Sequence, residues 1–366
     1  MPRTPSEGLF IGLMSGTSAD AVDAALLEIK DNNQHLIACH STSWPEALRE
    51  QVVALFQPGD NEIDRFGKLH RQIGELFADA ALALLERCDL TPEQIVAIGS
   101  HGQTLRHRPG PEGFSLQAGS GDVIANRTGI TTVSDFRNRD MVLGGQGAPL
   151  VPRFHQIAFA HGGERRAVIN IGGIANVSLL DDEALVGGFD TGPGNALLDH
   201  WCLAHTGEPW DENGTWAARG QVLPDLLANM LSDPYFSRPA PKSTGRELFN
   251  DSWLRQYLGG REKDCDVQAT LTELTATTIC EAVAEFGPDK LLICGGGAHN
   301  SLLMRRLQAL QPAPVANTTD YGIDPDWVEA AAFAWLAWAR LAQVPGNAPE
   351  VTGASRPALL GAIHAP

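Results

Sequence analysis

No run of eighteen or more apolar residues occurs in this chain, so no membrane-spanning helix and no membrane partner are expected. The opening stretch MPRTPSEGLF has neither the apolar core nor the small-residue cleavage site of a secretory leader, which predicts a cytoplasmic protein. Cysteine is sparse: Cys39, Cys88, Cys202, Cys265, Cys280 and Cys294 stand far apart, with no CxxC pair, and read as reduced thiols. The eleven histidines form no HExxH or HxxxH pair, so neither a zinc hydrolase nor a structural metal is expected. Positive charge is scarce as well. The formal net charge is −17, and no basic cluster offsets it, which disfavours a nucleic-acid partner. No low-complexity tract or long Gly/Ser linker divides the chain, so the hinge between its halves is expected to be ordered.

What is present suits an α/β enzyme. At 366 residues there is room for two ordinary domains or one large α/β unit. Three short strands are predicted at the start, over 9–14, 22–29 and 36–40, followed by a long amphipathic helix marked by Ile63, Phe66, Leu69, Ile73, Leu76, Phe77, Ala80 and Leu84, and then a strand over 95–99. The middle repeats this plan without repeating the sequence. Strands are predicted over 167–171, 176–180 and 185–190, then helices over 195–204, 269–286, 301–310 and 327–341 with a buried strand at 291–294 among them. Two halves of the form βββ then αβα predict two lobes built on one pattern. Their expected limits are 1–135 plus a C-terminal tail 345–366 for the first and 136–344 for the second, with the active-site cleft between them. Gly144 to Phe154, GGQGAPLVPRF, reads equally as a crossover or substrate loop and as a turn-rich connection.

The glycines carry the chemistry. GLMSGTSADAVDAAL places Gly12, Ser15, Gly16, Thr17, Ser18 and Asp20 around a turn between two strands, where backbone N–H groups and hydroxyls can face phosphate oxygens without a Walker lysine. A plain Gly/Ser hairpin is the other reading of that stretch taken alone. NIGGIANVSLL repeats the strand, turn, strand form with Gly172 and Gly173 at its turn, and LLICGGGAHNSLLM runs a buried strand into Gly295, Gly296 and Gly297 ahead of a helix, where a flat ring or ribose can approach the backbone. In VGGFDTGPGNALLDHW, Asp190 ends a strand next to Gly192 and Gly194, a setting that suits a general base; the alternative, helix capping, falls better to Asn195. SHGQT offers His101, Gln103 and Thr104 to a sugar-like ligand, although a single histidine is more often structural than basic. Glu329 opens an apolar helix and serves at the least as a favourable charge in its first turn. Arg137 and Arg139 in SDFRNRD, and Lys242 and Arg246 in APKSTGRE, are the local cations an acidic protein needs to hold an anion.

Taken in order, GLMSGTSADAVD, IGSHGQT, DFRNRD, GGQGAPLVP, NIGGIANVS, FDTGPGN, PKSTGRE, CGGGAHN and VTGAS resemble the successive signatures of the anhydro-N-acetylmuramic acid kinase family over nearly the whole chain. Ala21 departs from the glycine that the family usually carries in SGTSxDG. The resemblance implies two lobes of RNase H-like type, each a mixed β-sheet flanked by helices, as in the actin/hexokinase/Hsp70-like superfold. It also implies ATP with Mg²⁺ as cofactors and a reaction that opens 1,6-anhydro-N-acetylmuramic acid with water and phosphorylates its O6 during peptidoglycan turnover. Asp190 would match the family's base, Thr104, Arg139 and Glu329 its sugar contacts, and the glycine turns its nucleotide contacts. For the Mg²⁺ ion, Asp20 and Asp190 are the candidate carboxylates. Another sugar or acetate kinase of the same superfold, or a non-catalytic ATP-binding sensor, are the competing readings. The oligomeric state is left open, a homodimer included.

Overall fold

The computed structural model describes residues 7–16, 19–31, 33–110, 112–245 and 247–366. The chain comprises two compact units, Met1–Phe154 with Trp327–Pro366 and His155–Asp326. The first contains β1 (Gly8–Met14), β2 (Ala21–Lys30), β3 (Asn33–Ser43), β4 (Ile95–Ser100), β5 (Gln103–Arg108), β6 (Phe114–Ala118) and β7 (Thr132–Ser134). The second contains β8 (Arg165–Ile171), β9 (Ile174–Asp181), β10 (Ala184–Pro193), β11 (Lys290–Cys294) and β12 (Val315–Asn317), and β13 (Ala362–His364) closes the chain in the first.

In the first unit, β1, β2 and β3 form an antiparallel meander, β4 and β7 continue the sheet in parallel on the other side of β1, and β13 pairs antiparallel with β7. The helix Glu62–Arg87 presents Leu69, Ile73, Phe77, Ala80 and Leu84 to this sheet at three- and four-residue steps, all almost fully buried. The helix Val328–Leu341 also packs on β1 and β4. It comes unusually close because Gly12 and Gly99 are register partners in those strands, and a Cβ at either would run into the carbonyl oxygen of Ala330 or Phe333. That packing explains why the unit boundary falls at Trp327. The helix 328–341 and the segment 136–154 belong to the first unit, whereas the sequence predicted both in the second lobe.

The second unit repeats the plan: β8, β9 and β10 form the meander and β11 and β12 run parallel to β8, giving the order β10-β9-β8-β11-β12. Ranked by appearance, both sheets read 3-2-1-4-5, with β13 an added edge in the first. The helix Asp264–Ala284 is buried along most of its length, although its buried residues include four of its five threonines, Thr270, Thr272, Thr275 and Thr278. Their hydroxyls donate to backbone carbonyls, Thr270 and Thr272 to residues one turn back, so no polar hydrogen is left unmatched. The helix Asn195–Thr206 is capped at Gly194, and Asn195 donates its side-chain amide to the Ile171 carbonyl at 3.1 Å. Asn195 therefore does not cap the helix, contrary to expectation, because the preceding glycine supplies the non-helical residue.

Candidate functional site

Strand register gathers the second unit's predicted residues. Asp190 on β10 pairs with Asn176 on β9, Asn176 with Asn170 on β8, and Asn170 with Cys294 on β11, so four polar residues stand in one row across the sheet. The glycine turns follow that row within a few residues, at the C-terminal ends of β8, β10 and β11. They divide into two kinds. Gly192, Gly194 and Gly297 are buried and exist for close packing: added Cβ atoms would meet the Phe236 ring, the Gly172 carbonyl and the Ile171 side chain respectively. Gly172, Gly173, Gly295 and Gly296 keep accessible backbone at the same end of the sheet, where a flat ligand can lie. Gly295 has φ +77°, a conformation that suits glycine. The first amides of the helix 195–206 are already used, since Asn195 and Ala196 donate to the carbonyls of Gly172 and Gly173 at 2.8 and 3.1 Å.

Asp190 is half-buried and fixed on three sides. Its N–H donates to the Lys242 carbonyl at 3.1 Å, its Oδ2 accepts from the Thr244 N–H at 2.9 Å, and its carbonyl accepts from the Tyr235 hydroxyl at 2.7 Å. Burial raises the Tyr235 phenol far above its ordinary range, with the Asp190 charge acting the same way, so the hydroxyl is a standing donor. These holders were not found from sequence, because 45 to 54 residues separate them from Asp190. The available signal was the PKSTG stretch, whose role no local pattern discloses.

In the first unit the turn that follows β1 and SHGQT lie side by side. The His101 N–H donates to the Leu13 carbonyl at 2.9 Å, the Gln103 side chain to the Gly16 carbonyl at 3.0 Å, and Trp44 Nε1 to Ser15 Oγ at 3.2 Å. Thr17 and Ser18 lie outside the described residues, as does Arg246. Gly12 faces the helix 328–341, so its close approach serves packing. Asp20 is exposed and pairs with Arg49 at 3.4 Å. Thr104 on β5 accepts from Gln117 on β6 at 3.2 Å, across a hairpin that sequence periodicity did not show.

His101 is buried and packs at a tilt of 38° against Phe333, with ring centroids 4.7 Å apart. Burial, reinforced by Arg137, holds its imidazole well below the usual histidine range, so it stays neutral and its Nε2 accepts from the Arg137 guanidinium at 2.8 Å. Arg137 also donates to the Gly147 carbonyl at 2.8 Å. His101 thus orients a cation. Glu329 is partly accessible but deeply set; desolvation raises its carboxyl, Arg137 opposes the shift and Asp23 adds to it. Arg139 is exposed on the short helix Asn138–Val142 and makes no ion pair with a described residue. Directly after Arg139, Asp140 is fully buried and accepts from the Gly147 N–H, the Asn347 side chain and the Thr352 hydroxyl, each at 2.8 Å. That carboxylate joins DFRNRD, GGQGAP and VTGAS into one scaffold.

Among the described residues no group of three or more His, Cys, Asp or Glu converges as a metal site. A Mg²⁺ ion that arrives with nucleotide phosphates and waters needs only one or two carboxylates, and Asp190 beside the accessible glycines fits that demand better than Asp20, which Arg49 engages.

Comparison with known proteins bears on the whole chain. Component A of (R)-2-hydroxyglutaryl-CoA dehydratase from Acidaminococcus fermentans is 12% identical, with 92% of this chain and 99% of that one covered and a TM-score of 0.50. The ADPNP-bound activator of 2-hydroxyisocaproyl-CoA dehydratase from Clostridium difficile is 16% identical, covering 92% and 96%, with a TM-score of 0.47. A ROK family glucokinase from Streptomyces griseus, in complex with glucose and AMPPNP, is 14% identical over 90% and 99%, with a TM-score of 0.41. At such identities only the fold is at issue, and it is the α/β, actin/hexokinase/Hsp70-like one that the family resemblance implied, with the two-fold pattern expected from the tandem βββ halves. A family model described as anhydro-N-acetylmuramic acid kinase matches residues 8–366. With nearly every residue matched, the chain belongs to the anhydro-N-acetylmuramic acid kinase family, sugar kinases that transfer a phosphoryl group to an alcohol oxygen.

Proposed function

We propose that the protein uses ATP to open 1,6-anhydro-N-acetylmuramic acid with water and to phosphorylate the released O6, giving N-acetylmuramic acid 6-phosphate in cytoplasmic peptidoglycan recycling. The observation that carries this reading is Asp190, a half-buried carboxylate held by the Thr244 amide in the sheet row that the glycine turns follow. Asp190 takes a proton from water as the water oxygen bonds to C1. The C1–O6 bond breaks, O6 takes the γ-phosphoryl group and ADP is left. A positioned base of this kind contributes about 10²- to 10⁴-fold in rate.

The accessible backbone of Gly172, Gly173, Gly295 and Gly296 supports nucleotide binding in the second unit, and Gly16 offers partly accessible backbone in the first. When bound with ATP, Mg²⁺ would neutralise charge on the transferring phosphoryl group. Arg137, held rigid by His101 and Gly147, and the exposed Arg139 suit the lactyl carboxylate of the sugar. Thr104, Gln103 and Glu329 supply neutral or weakly acidic partners for its hydroxyls and amide. The partners are then one sugar and one nucleotide.

An ADP-release assay with the anhydro sugar, glucose, glucosamine and acetate tests the substrate. Turnover of any of the last three at the rate of the anhydro sugar overturns the assignment. In heavy-oxygen water the label should appear at C1 of the product and not in its phosphate. Asp190→Asn should bind ATP as before and lose about 10²- to 10⁴-fold in kcat; near-normal turnover removes Asp190 from the mechanism.

A further inference from the structure

The stretch 240–245 has no part in the reaction as proposed, yet its backbone holds the base. Both the carbonyl that receives the Asp190 N–H and the amide that reaches Asp190 Oδ2 come from a segment without regular secondary structure. Such a segment keeps its geometry only if something anchors it. Lys242 is that anchor: its ammonium donates to the carbonyls of Phe236 at 3.1 Å and Tyr235 at 3.4 Å. It also stands 4.9 Å from the centroid of the Tyr235 ring and 5.6 Å from that of Phe189, the residue before Asp190 on β10. The same Tyr235 donates to the Asp190 carbonyl. Lysine, rings and base therefore form one closed loop of contacts.

We propose that Lys242 is a positioning residue, whose ammonium locks the 240–244 backbone so that it grips Asp190 at its N–H and its carboxylate Oδ2. The inference rests on the reading of Asp190 as the base. Other charged or titratable groups around it in the described residues are Arg238, 5.7 Å from the Tyr235 ring, and the protonated Tyr235 itself. The helix 264–284, which also packs on β10, turns Thr275 and Thr278 toward its end, and neighbouring β9 supplies Asn176; none of these titrates. Burial lowers the Lys242 ammonium from the usual lysine value, Arg238 adds to this and the Asp190 charge opposes it. Lys242 and Asp190 thus stabilise each other's charged forms.

The test is full-chain Lys242→Met and Lys242→Arg, assayed with ATP and the anhydro sugar across pH. Lys242→Met should lose about 10- to 100-fold in kcat through misplacement of the base, with both KM values near those of the unaltered protein. Its acidic limb of kcat/KM should move to higher pH, and Lys242→Arg, which keeps a cation over the rings, should restore most of both. A limb that stays in place, or a loss that merely follows the fraction of folded protein, overturns the proposal. Where Lys242→Met does not fold, Lys242→Gln keeps a donor for the carbonyls without the charge, and an unmoved limb there overturns it equally. Asp190→Asn separates the two levels. If that variant is inactive while Lys242→Met is normal, the positioning role falls alone; if it turns over normally, the base assignment falls and takes this role with it.

Discussion

His155 should make the protein lose stability in mild acid by an amount that can be worked out. Its ring is fully buried, Nδ1 lies 2.8 Å from Ser178 Oγ, and burial lowers its pKa from 6.5 to about 3. The unfolded chain binds a proton near 6.5 and the folded one does not until about 3, so the stability this group confers is complete above pH 6.5 and is lost as the pH falls through that window. One pKa unit corresponds to about 1.4 kcal/mol, so going from pH 6.5 to pH 5 costs about 2 kcal/mol through this residue alone. His155→Leu removes the proton uptake. Urea unfolding at several pH values between 7 and 5 should show a stability slope shallower by about 1 kcal/mol per pH unit for the variant. A variant whose stability falls as steeply as that of the unaltered protein would refute the idea that His155 is kept neutral by the fold. His107, lowered to about 4 by burial and Arg137, acts with the same sign, so some acid sensitivity should survive the substitution.

Two further substitutions probe the scaffold of the first unit. Gly99→Ala sets a methyl group against the Phe333 carbonyl and should destabilise by about 1–3 kcal/mol, read as a lower urea midpoint; an unchanged midpoint refutes the close helix approach. Asp140→Ala strands the three donors from Gly147, Asn347 and Thr352 and should cost about 2–4 kcal/mol, whereas Thr352→Val, which removes one donor, should cost about 1 kcal/mol. Thermal unfolding of both variants checks the order, and equal losses would contradict a shared hub.

Local patterns were readable where one face or one period dominates. Ile63 to Leu84 announced the helix 62–87, and the helix 301–310 emerged at its predicted limits, because apolar residues recur at helical steps. The β5–β6 hairpin was missed: Gln103 and Thr104 looked like ligand-binding polar residues, and a bulge between Thr104 and Arg106 breaks the alternation that marks a strand. Gly12 and Gly99 were legible as glycines but not as a pair, since their common reason, the helix 328–341, lies more than two hundred residues away. Within the site the same limit recurs. Asp190 could be singled out by its glycine-bounded setting, but Tyr235, Lys242 and Thr244 could not be tied to it before their distances were known.

The first unit is interrupted in sequence by the whole of the second. One face of β1 and β4 waits for residues 328–341, Asp140 waits for Asn347 and Thr352, and β7 waits for the final strand. During synthesis the continuous unit can therefore settle first, while the first unit remains unfinished until residues 328–364 have been made. Loss of the strand 362–364 would therefore strike a sheet whose other strands are made before the second unit, not the segment made alongside it.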